Sequence, residues 1–375
     1  MSSESNSLKQ VALQKFKKNF WGVFSCCIIV FVGIISVFAY VLAPDNSQYA
    51  NQMHLPIHSK KPGFSVTMLT IPSQMESHQS RFNKIFFGNK NSATEIPISS
   101  YSISSHTLTY KEYASDGLDG VEKTLSLSVF PSGTVENYLN KKTFLFGTDK
   151  YGRDLLSRVL VGARISFFIG FVAVFISLII GIFMGSAAGY FGGKIDAFIM
   201  WIINVTWSIP TLLLVIAITL ALGKGFWQVF IAVGLTMWVE VARVVRGQII
   251  SAKEMQYVTA ARALGFNDFR IITKHILPNI MAPVIVISAA NFASAILIES
   301  GLSFLGIGAQ PPMASWGAMI KDHYNYIILG KAYLAIIPGL CIMGLVMAFM
   351  LVGNALRDAL DVKGWFFFLK IVLKD

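Results

Sequence analysis

Six long apolar runs constrain the fold of this chain more than any other feature. They cover residues 21–42, 165–189, 197–222, 226–245, 283–305 and 333–355. A helix needs about 20 apolar residues to cross the hydrocarbon layer of a bilayer. Because 54% of the 375 residues are hydrophobic and only 14% are charged, the composition excludes a water-soluble globule. The sequence therefore predicts an all-α polytopic membrane protein with six transmembrane helices.

Basic residues beside these runs predict the orientation of the chain. Lys15, Lys17 and Lys18 precede the first run, and lysine close to a span favours the cytoplasmic side. Six crossings then place both termini, and the loop after the fourth run, in the cytoplasm. This topology accounts for the net charge of +11, and no basic face interleaved with aromatic residues points to nucleic acid. A cleaved secretory signal is the alternative for the first run, although its apolar core is long for a signal.

The segment of residues 44–146 differs from its flanks because it is polar and rich in Ser and Thr. Its stretches FSVTMLTI and KTLSLSVF alternate apolar and polar side chains, which is the period of half-buried strands. Since it follows one crossing, we expect a small extracytoplasmic insertion with β content; a partly ordered linker is the alternative. His54 and His58 stand four apart, but the intervening proline and the lack of a third ligand argue against a metal site.

The rest of the chain divides by composition. The parts are residues 1–43 (N-tail and first transmembrane helix), 44–146 (the insertion), 147–164 (an amphipathic lead-in), 165–360 (a core with five transmembrane helices and a cytoplasmic loop at 246–282) and 361–375 (a C-tail). In the lead-in, we expect Thr148 to cap a helix and Asp149 to lie at its positive N-terminus. Asp154 and Arg158 are four apart, which predicts a polar-faced helix at the membrane surface.

Four residues inside the predicted spans are candidates for a transport pathway: Asn204, Trp207, Pro210 and Glu299. Proline lacks an amide hydrogen and clashes with the preceding turn, so Pro210 is expected to kink the third span. Asn204 and Trp207 precede that kink, although packing contacts are an alternative for both. An ionisable group within a membrane is costly, which makes Glu299 a functional candidate. A position facing a water-filled cavity and a buried, hydrogen-bonded role both remain open for it.

Two further patterns predict contacts between spans. Gly181, Gly185 and Gly189 recur at intervals of four in the second span, and such a stripe lets another helix approach closely in lipid. Glu240 and Arg243 are neighbours on the fourth span, so we expect them to form an ion pair.

The loop after the fourth span contains the stretch YVTAARALGFNDFRIITKHILPN, residues 257–279, which we call the knob. Its first eight residues favour a helix, and Gly265 is suited to the left-handed conformation that closes one, with Phe266 folding back over the last turn. Asn267 is expected to cap a second helix, which Pro278 would end. The knob suits insertion into a groove on a soluble partner; the alternative is a loop whose arginines bind anionic lipid.

The knob resembles the EAA loop of ABC importer permeases, whose pattern is Glu-Ala-Ala, three residues, Gly and a later Leu-Pro. Thr259, Ala260, Ala261 and Gly265 occupy those positions before Leu277–Pro278. Other stretches resemble the C-type permease subunit of the dipeptide and oligopeptide (nickel) branch: FGTDKYGRDLLSRVLVGARIS, GYFGGKID, SIPTLLL, ESGLSFLGIGAQPPMASWGAMI and GNALRDALD. The resemblance covers residues 144–361 and, by position, the first span.

This resemblance implies a type I ABC importer permease in the inner membrane, surrounded by lipid. It implies pairing with a homologous permease, docking on two cytoplasmic ABC ATPases, and delivery of peptide by an extracytoplasmic binding protein. The residues implied at the ATPase contact are Thr259, Ala260, Ala261, Arg262, Gly265 and Phe266. Thr259 replaces the glutamate of the motif, so an ion pair there is either absent or supplied elsewhere, with Glu254 as the candidate.

No enzyme is expected in this chain. The stretch AGYFGGKI loosely resembles a phosphate-binding loop, but Ala188 replaces its first glycine and Ile195 replaces the magnesium-binding Ser or Thr. ATP and Mg are therefore assigned to the partner ATPases, with no catalytic residue, cofactor or metal in this chain. A secondary transporter and a membrane scaffold are the alternative classes, and the former would favour repeated halves and more acidic groups in the spans. Dipeptides, longer peptides, nickel chelates and glutathione all remain open as substrates.

Overall fold

The computed structural model describes residues 8–72, 79–90, 93–114, 120–130, 135–223 and 225–360. The predicted C-tail, 361–375, and the start of the N-tail lie outside these ranges. The α-helices are α1 (Leu8–Lys18), α2 (Phe20–Val37), α3 (Ala39–Leu42), α4 (Arg81–Phe87), α5 (Leu155–Phe191), α6 (Gly193–Ser208), α7 (Thr211–Leu222), α8 (Phe226–Lys253), α9 (Gln256–Ala263), α10 (Asp268–Arg270), α11 (Leu277–Leu305), α12 (Trp316–His323) and α13 (Tyr333–Leu360). A π-helical turn, Ile271–Ile276, joins α10 to α11.

The chain divides into two compact units. The helical unit comprises residues 1–32, 167–302 and 342–375, and the sheet unit comprises residues 33–166 and 303–341, as far as the structure describes them. The strands of the sheet unit are β1 (Phe64–Ile71), β2 (Thr94–Ile103), β3 (Thr107–Glu112), β4 (Glu122–Ser126) and β5 (Leu139–Phe144). Short 3₁₀ turns occur at Gln48–Ala50, Leu55–Ile57, Leu127–Val129, Val135–Tyr138 and Tyr324–Ile327.

The five strands form one antiparallel sheet in the order β4-β3-β2-β1-β5. The stretch FSVTMLTI is β1, so the predicted β content is confirmed. β1 is the strand between β2 and β5, and both of its faces are covered: Val66 and Met68 pack with Phe144, whereas Leu69 packs with Ile98. Alternation along this strand therefore separates two apolar clusters, not a core face from a solvent face.

Five helical segments in the described residues are long and apolar enough to cross a membrane. They are α2, α5, α8, the continuous helix Asp268–Leu305 and α13. The pair α6 and α7 passes the same test together but is bent by 94°, so the count is six only if this pair is one span. The bend lies at Ile209 and Pro210, which are both extended, because proline disfavours the helical conformation of the residue before it. The kink predicted at Pro210 is thus a complete break.

The predicted amphipathic lead-in is wrong as a separate surface helix. Residues 155–164 belong to α5, which continues without interruption to Phe191. Asp154 caps α5, since the amide of Ser157 donates to its Oδ2 at 2.9 Å. Thr148 caps nothing; its hydroxyl donates to the carbonyl of Ile57 at 2.5 Å. Asp149 and Arg158 are instead buried, and they form an ion pair with 3.7 Å between Oδ2 of Asp149 and Nε of Arg158.

The glycine stripe of α5 is confirmed as a surface of close helix approach. A Cβ atom on Gly181 would lie 2.5 Å from the side chain of Val241, and one on Gly185 would lie 2.5 Å from the carbonyl of Ala242. One on Gly189 would also clash with the backbone of α8. Small residues at these positions let α5 and α8 pack backbone to backbone, as in membrane helix pairs.

Candidate functional site

The knob begins with α9, which ends in a Schellman motif. Gly265 has φ +77°, a conformation that an L side chain strains. Its amide donates to the carbonyl of Arg262 at 2.9 Å, and the amide of Phe266 donates to the carbonyl of Ala261 at 3.2 Å. These two bonds satisfy carbonyls that a helix end otherwise leaves unpaired. The turn predicted from Gly265 and Phe266 is confirmed.

The second helix of the knob starts as predicted but does not end where predicted. The side chain of Asn267 accepts a hydrogen bond from the amide of Arg270 at 2.9 Å, which caps α10. The helix then passes through the π-helical turn and Pro278 into α11. The helix end expected at Pro278 is therefore wrong, because the π-helical turn just before the proline lets the helix continue. The side chain of Asn279 donates to the carbonyl of His275 at 2.7 Å in the same turn of the helix.

The inner face of the knob packs on α8. Val258, Ala261 and Ile271 are buried in one cluster with Val245 and Ile249. Phe266 is half-buried against the same cluster. Ala261, one of the residues implied at the ATPase contact, is only 3% exposed and anchors the knob to its own chain. Burying these apolar side chains is the main force that holds the knob in place.

The outer face of the knob combines small, apolar and basic residues. Thr259, Ala260, Arg262 and Gly265 are all exposed. Leu264 is 73% exposed, although sequence analysis did not select it. The position of Leu264 next to the turn glycine Gly265 was the sequence feature that could have identified it. The exposed residues form a surface that a partner can contact without disturbing the inner face.

Polar contacts brace the knob against α5. The hydroxyl of Tyr190 donates to Oδ1 of Asp268 at 2.6 Å. The guanidinium of Arg262 lies 5.4 Å from the centre of the Tyr190 ring. The guanidinium of Arg270 lies 4.1 Å from the centre of the Phe266 ring, so two arginines of the knob are oriented by aromatic faces. Sequence analysis missed Tyr190 and Asp268, because 78 residues separate them.

A second brace joins α6 to α8. Both oxygens of Asp196 accept hydrogen bonds from Arg246, at 2.5 Å each. Such a bidentate pair fixes the geometry of both side chains. Asp196 lies in the GYFGGKID stretch, but its partner could not be identified from spacing because it is 50 positions further along the chain.

The predicted pathway residues do not all come together. A recess of about 320 Å³ in the helical unit is lined by Thr206, Trp207, Thr211, Leu214, Thr236, Met237, Glu240, Ser294, Leu297 and Ile298. Trp207 therefore lines it, and Asn204 lies nearby, accepting a hydrogen bond from Arg243 at 2.8 Å. Pro210 marks the helix break beside this region. Glu299 is 1% exposed and does not line the recess.

The acidic side chain at the recess is Glu240. It is exposed, and in the described part of the chain no ion pair joins it to Arg243. The guanidinium of Arg243 instead stacks 3.6 Å from the centre of the Trp207 ring. The predicted Glu240–Arg243 pair is therefore wrong, since Arg243 contacts Asn204 and Trp207 on α6. The described residues also contain no cluster of three metal-ligating side chains.

Comparison with protein families gives two matches. The family described as binding-protein-dependent transport system inner membrane component matches residues 164–363. The family described as the N-terminal TM domain of oligopeptide transport permease C matches residues 7–60. The knob, α6 and α8 all lie in the first match.

Individual relatives carry transport names. The chain is 44% identical over 218 residues to the dipeptide transport system permease protein DppC of Bacillus subtilis, covering 58% of this chain and 68% of that protein. It is 41% identical over 223 residues to the oligopeptide transport system permease protein OppC of the same organism, covering 59% and 72%. A solved structure of the MetNI methionine ABC transporter in inward-facing form is also similar, with TM-score 0.45 and 18% identity over 54% of this chain and 95% of that one.

Proposed function

Since this chain belongs to the family of binding-protein-dependent transport system inner membrane components, we propose that it is the C-type permease subunit of an ATP-driven importer of di- or oligopeptides. The names of its relatives, which include dipeptide and oligopeptide transport permeases, support this substrate class. The partners are a homologous permease, two ABC ATPases and an extracytoplasmic peptide-binding protein. The chain crosses the inner membrane six times, with α6 and α7 as one broken span and both termini in the cytoplasm.

The knob is the element that docks on an ATPase. The observation that carries this assignment is its two-sided construction. The inner face, with Val258 and Ala261, is buried on α8, whereas Thr259, Ala260 and Leu264 are exposed. A surface that only rested on lipid headgroups would not need a helix closed by a Schellman motif, and Leu264 offers an apolar contact to a protein groove.

Movement of the knob is transmitted to the spans through continuous structure. α10, the π-helical turn and α11 form one helix from Asp268 to Leu305. The Tyr190–Asp268 hydrogen bond ties the same knob to the end of α5. When the ATPases close on ATP, a displaced knob therefore moves α5 and α11 together. This is rigid-body transmission of the kind that produces alternating access.

The recess beside the α6–α7 break is part of the peptide pathway. Its lining combines hydroxyl groups, the Trp207 ring and the Glu240 carboxylate, which suit the amides and the terminal ammonium of a peptide. Glu240 replaces Glu299 as the acidic pathway group, and Glu299 has a structural role within α11. Trp207, Asn204 and Pro210 remain pathway residues, with Arg243 holding Trp207 in position.

ATP hydrolysis belongs to the partner subunits, and this chain binds neither ATP nor Mg. The loose phosphate-loop resemblance falls on the end of α5 and the start of α6, where Gly192 and Gly193 both have positive φ. Those two glycines change the direction of the chain between two helices, which accounts for them without a nucleotide. Lipid surrounds the apolar outer faces of the spans.

The test uses the complete transporter, with both permeases, both ATPases and the binding protein, in proteoliposomes. We expect Leu264→Asp to lower peptide uptake about tenfold or more, because it places a charge in the ATPase contact. Val121→Asp is the matched control, since Val121 is 62% exposed and lies in the sheet unit. Wild-type uptake by the Leu264→Asp transporter would refute the docking role, and uptake without ATP would refute the importer.

A further inference from the structure

The sheet unit contains a pocket lined by three basic side chains and one acidic side chain. It has a volume of about 170 Å³ and is lined by Asn51, Met53, Tyr151, Arg153, Arg158, Ser303, Gly306, Ala309, Gln310, Pro311, Pro312, Met313, Ala318, Lys321 and Asp322. Met53, Pro311, Pro312 and Lys321 are exposed, whereas Arg153 and Arg158 are each 3% exposed. The pocket therefore extends from the surface of the unit to two buried guanidinium groups.

One buried carboxylate serves both arginines. Asp149 is fully buried, and its Oδ2 accepts a hydrogen bond from Nε of Arg153 at 2.6 Å. The Nε of Arg158 lies 3.7 Å from the same oxygen, which is an ion pair but too long for a hydrogen bond. We call Asp149, Arg153 and Arg158 the Asp149 cluster. Two guanidinium groups and one carboxylate leave this cluster with an excess positive charge.

The donors of the two arginines are incompletely used. Nη1 of Arg153 donates to the side chain of Asn51 at 2.9 Å, but its Nη2 is buried without a hydrogen-bond partner among the described residues. Nη1 of Arg158 reaches the carbonyls of Tyr49 and Ala50 only at 3.4 and 3.5 Å. An unpaired buried donor on a charged group is costly. An anion with two oxygens would satisfy such donors, since guanidinium groups match carboxylates in geometry.

The one carboxylate of the lining is paired with a lysine outside it. Asp322 accepts a hydrogen bond from Nζ of Lys150 at 3.0 Å. Asp45 and Asp154 are outside the lining, and both are buried carboxylates that accept hydrogen bonds from neutral backbone amides. Their negative charges therefore offset part of the charge of the two arginines. Lys321 adds a third cation: its ammonium lies so close to Gly306 that a Cβ there would be 2.2 Å from Nζ.

We propose that this pocket binds the terminal carboxylate of a short peptide. The carboxylate would lie between Lys321 and the Asp149 cluster, while Met53 and Pro311 contact the last side chain. The volume is close to that of a cavity that holds one benzene molecule, so the pocket accommodates about one residue and not a whole peptide. The carboxylate chemistry follows from the pocket alone, whereas the choice of a peptide as its source rests on the proposed function.

The test measures binding by the purified full-length protein in lipid nanodiscs, without ATPases. The probes are a radiolabelled dipeptide, the same dipeptide with an amidated C-terminus, and propionate as a competitor. We expect saturable binding of the free acid, about tenfold weaker binding of the amide, and displacement by propionate. Lys321→Gln should weaken binding of the acid without changing that of the amide. Lys84→Gln, at an exposed position of the same unit, should change neither.

Arg153→Lys is the second variant, because it keeps the charge but removes the fork of donors; it should also weaken binding of the acid. Equal affinity for acid and amide, or equal affinity of wild type and Lys321→Gln for the acid, would overturn the proposal and leave the arginines a structural role. If acid-dependent binding persists while the complete transporter fails to take up peptide, the proposed function fails and the carboxylate site stands.

Discussion

The knob and the Asp149 cluster use charged side chains in opposite ways. In the knob, Arg262 and Arg270 are exposed, and the structure is held by an apolar inner face and by local caps. In the Asp149 cluster the charged side chains are buried and paired with one another. The knob lies inside a family match, whereas the Asp149 cluster falls between the two matches. Changes at the knob should therefore appear first in transport, and loss of the shared carboxylate Asp149 should appear first in stability.

The largest effect is expected at Asp149. Asp149→Asn removes the carboxylate that two buried guanidinium groups share, and losing one partner of a buried ion pair costs about 3 to 5 kcal/mol. Thermal unfolding of the purified protein in detergent should show this loss. Glu136→Gln removes an exposed carboxylate of the same unit and should not. Equal stability of the two variants would break the contrast between the buried cluster and the exposed knob.

Gly265→Pro should come next. Proline fixes φ near about −65° and lacks the amide hydrogen, whereas Gly265 has φ +77° and donates to Arg262. We expect the chain to reach the membrane but peptide uptake to be lost while ATP hydrolysis continues, because the turn that shapes the outer face is distorted. Gly247→Ala is the control, since a Cβ at that helical glycine meets no atom within 4 Å. Coupled transport by Gly265→Pro would show that the turn is dispensable.

Tyr190→Phe should have a smaller effect. It removes the hydroxyl that donates to Asp268, and a hydrogen bond to a charged group contributes about 1.5 kcal/mol or more. Hydrogen exchange at the amides of Gly265 and Phe266 should become faster, while the sheet unit is unchanged. Tyr257→Phe, at an exposed position of the knob, should leave exchange as it is. If both variants behave alike, the brace to α5 does not stabilise the knob.

The smallest effect concerns His323 of the sheet unit. Burial lowers the pKa of the His323 imidazole, and Lys150 acts in the same direction. The Met319 carbonyl, to which Nδ1 is hydrogen-bonded at 2.7 Å, and the carboxylates of Asp149 and Asp322 oppose this lowering. In the unfolded chain the imidazole of His323 becomes protonated as the pH falls through about 6.5, whereas in the folded chain it is still neutral at that pH. Stability contributed by neutral His323 is present above that pH and is lost as the pH falls toward the folded pKa. The thermal unfolding midpoint should fall as the pH is lowered below about 6.5 in wild type and in the exposed control His106→Gln. This contribution to the fall should be missing in His323→Gln.

Turns, caps and strands that depend on neighbouring residues could be predicted from the sequence, whereas contacts between residues far apart in the chain could not. Gly265, Phe266 and Asn267 act on residues within one or two turns, so their roles in the knob followed from residue type. The alternation in FSVTMLTI likewise identified β1. The inward direction of Ala261, however, depends on how α9 lies on α8, and no spacing within the knob encodes that.

The missed contacts have the same cause. Tyr190 and Asp268, or Asp196 and Arg246, meet only after helices far apart in sequence have packed. The charged residues of the lead-in were predicted to lie on a surface because a spacing of four places side chains on one face of a helix. That spacing does not indicate whether another part of the protein covers this face. Only the fold shows that Asp149 and Arg158 are covered.

The proposed function depends on contact between the outer face of the knob and an ATPase. The most direct measurement places a photo-crosslinking amino acid at Leu264, and separately at Val121, in the complete transporter. We expect a crosslink from position 264 to an ATPase subunit and none from position 121. An assembled, ATP-hydrolysing transporter in which position 264 fails to crosslink to the ATPase would contradict it.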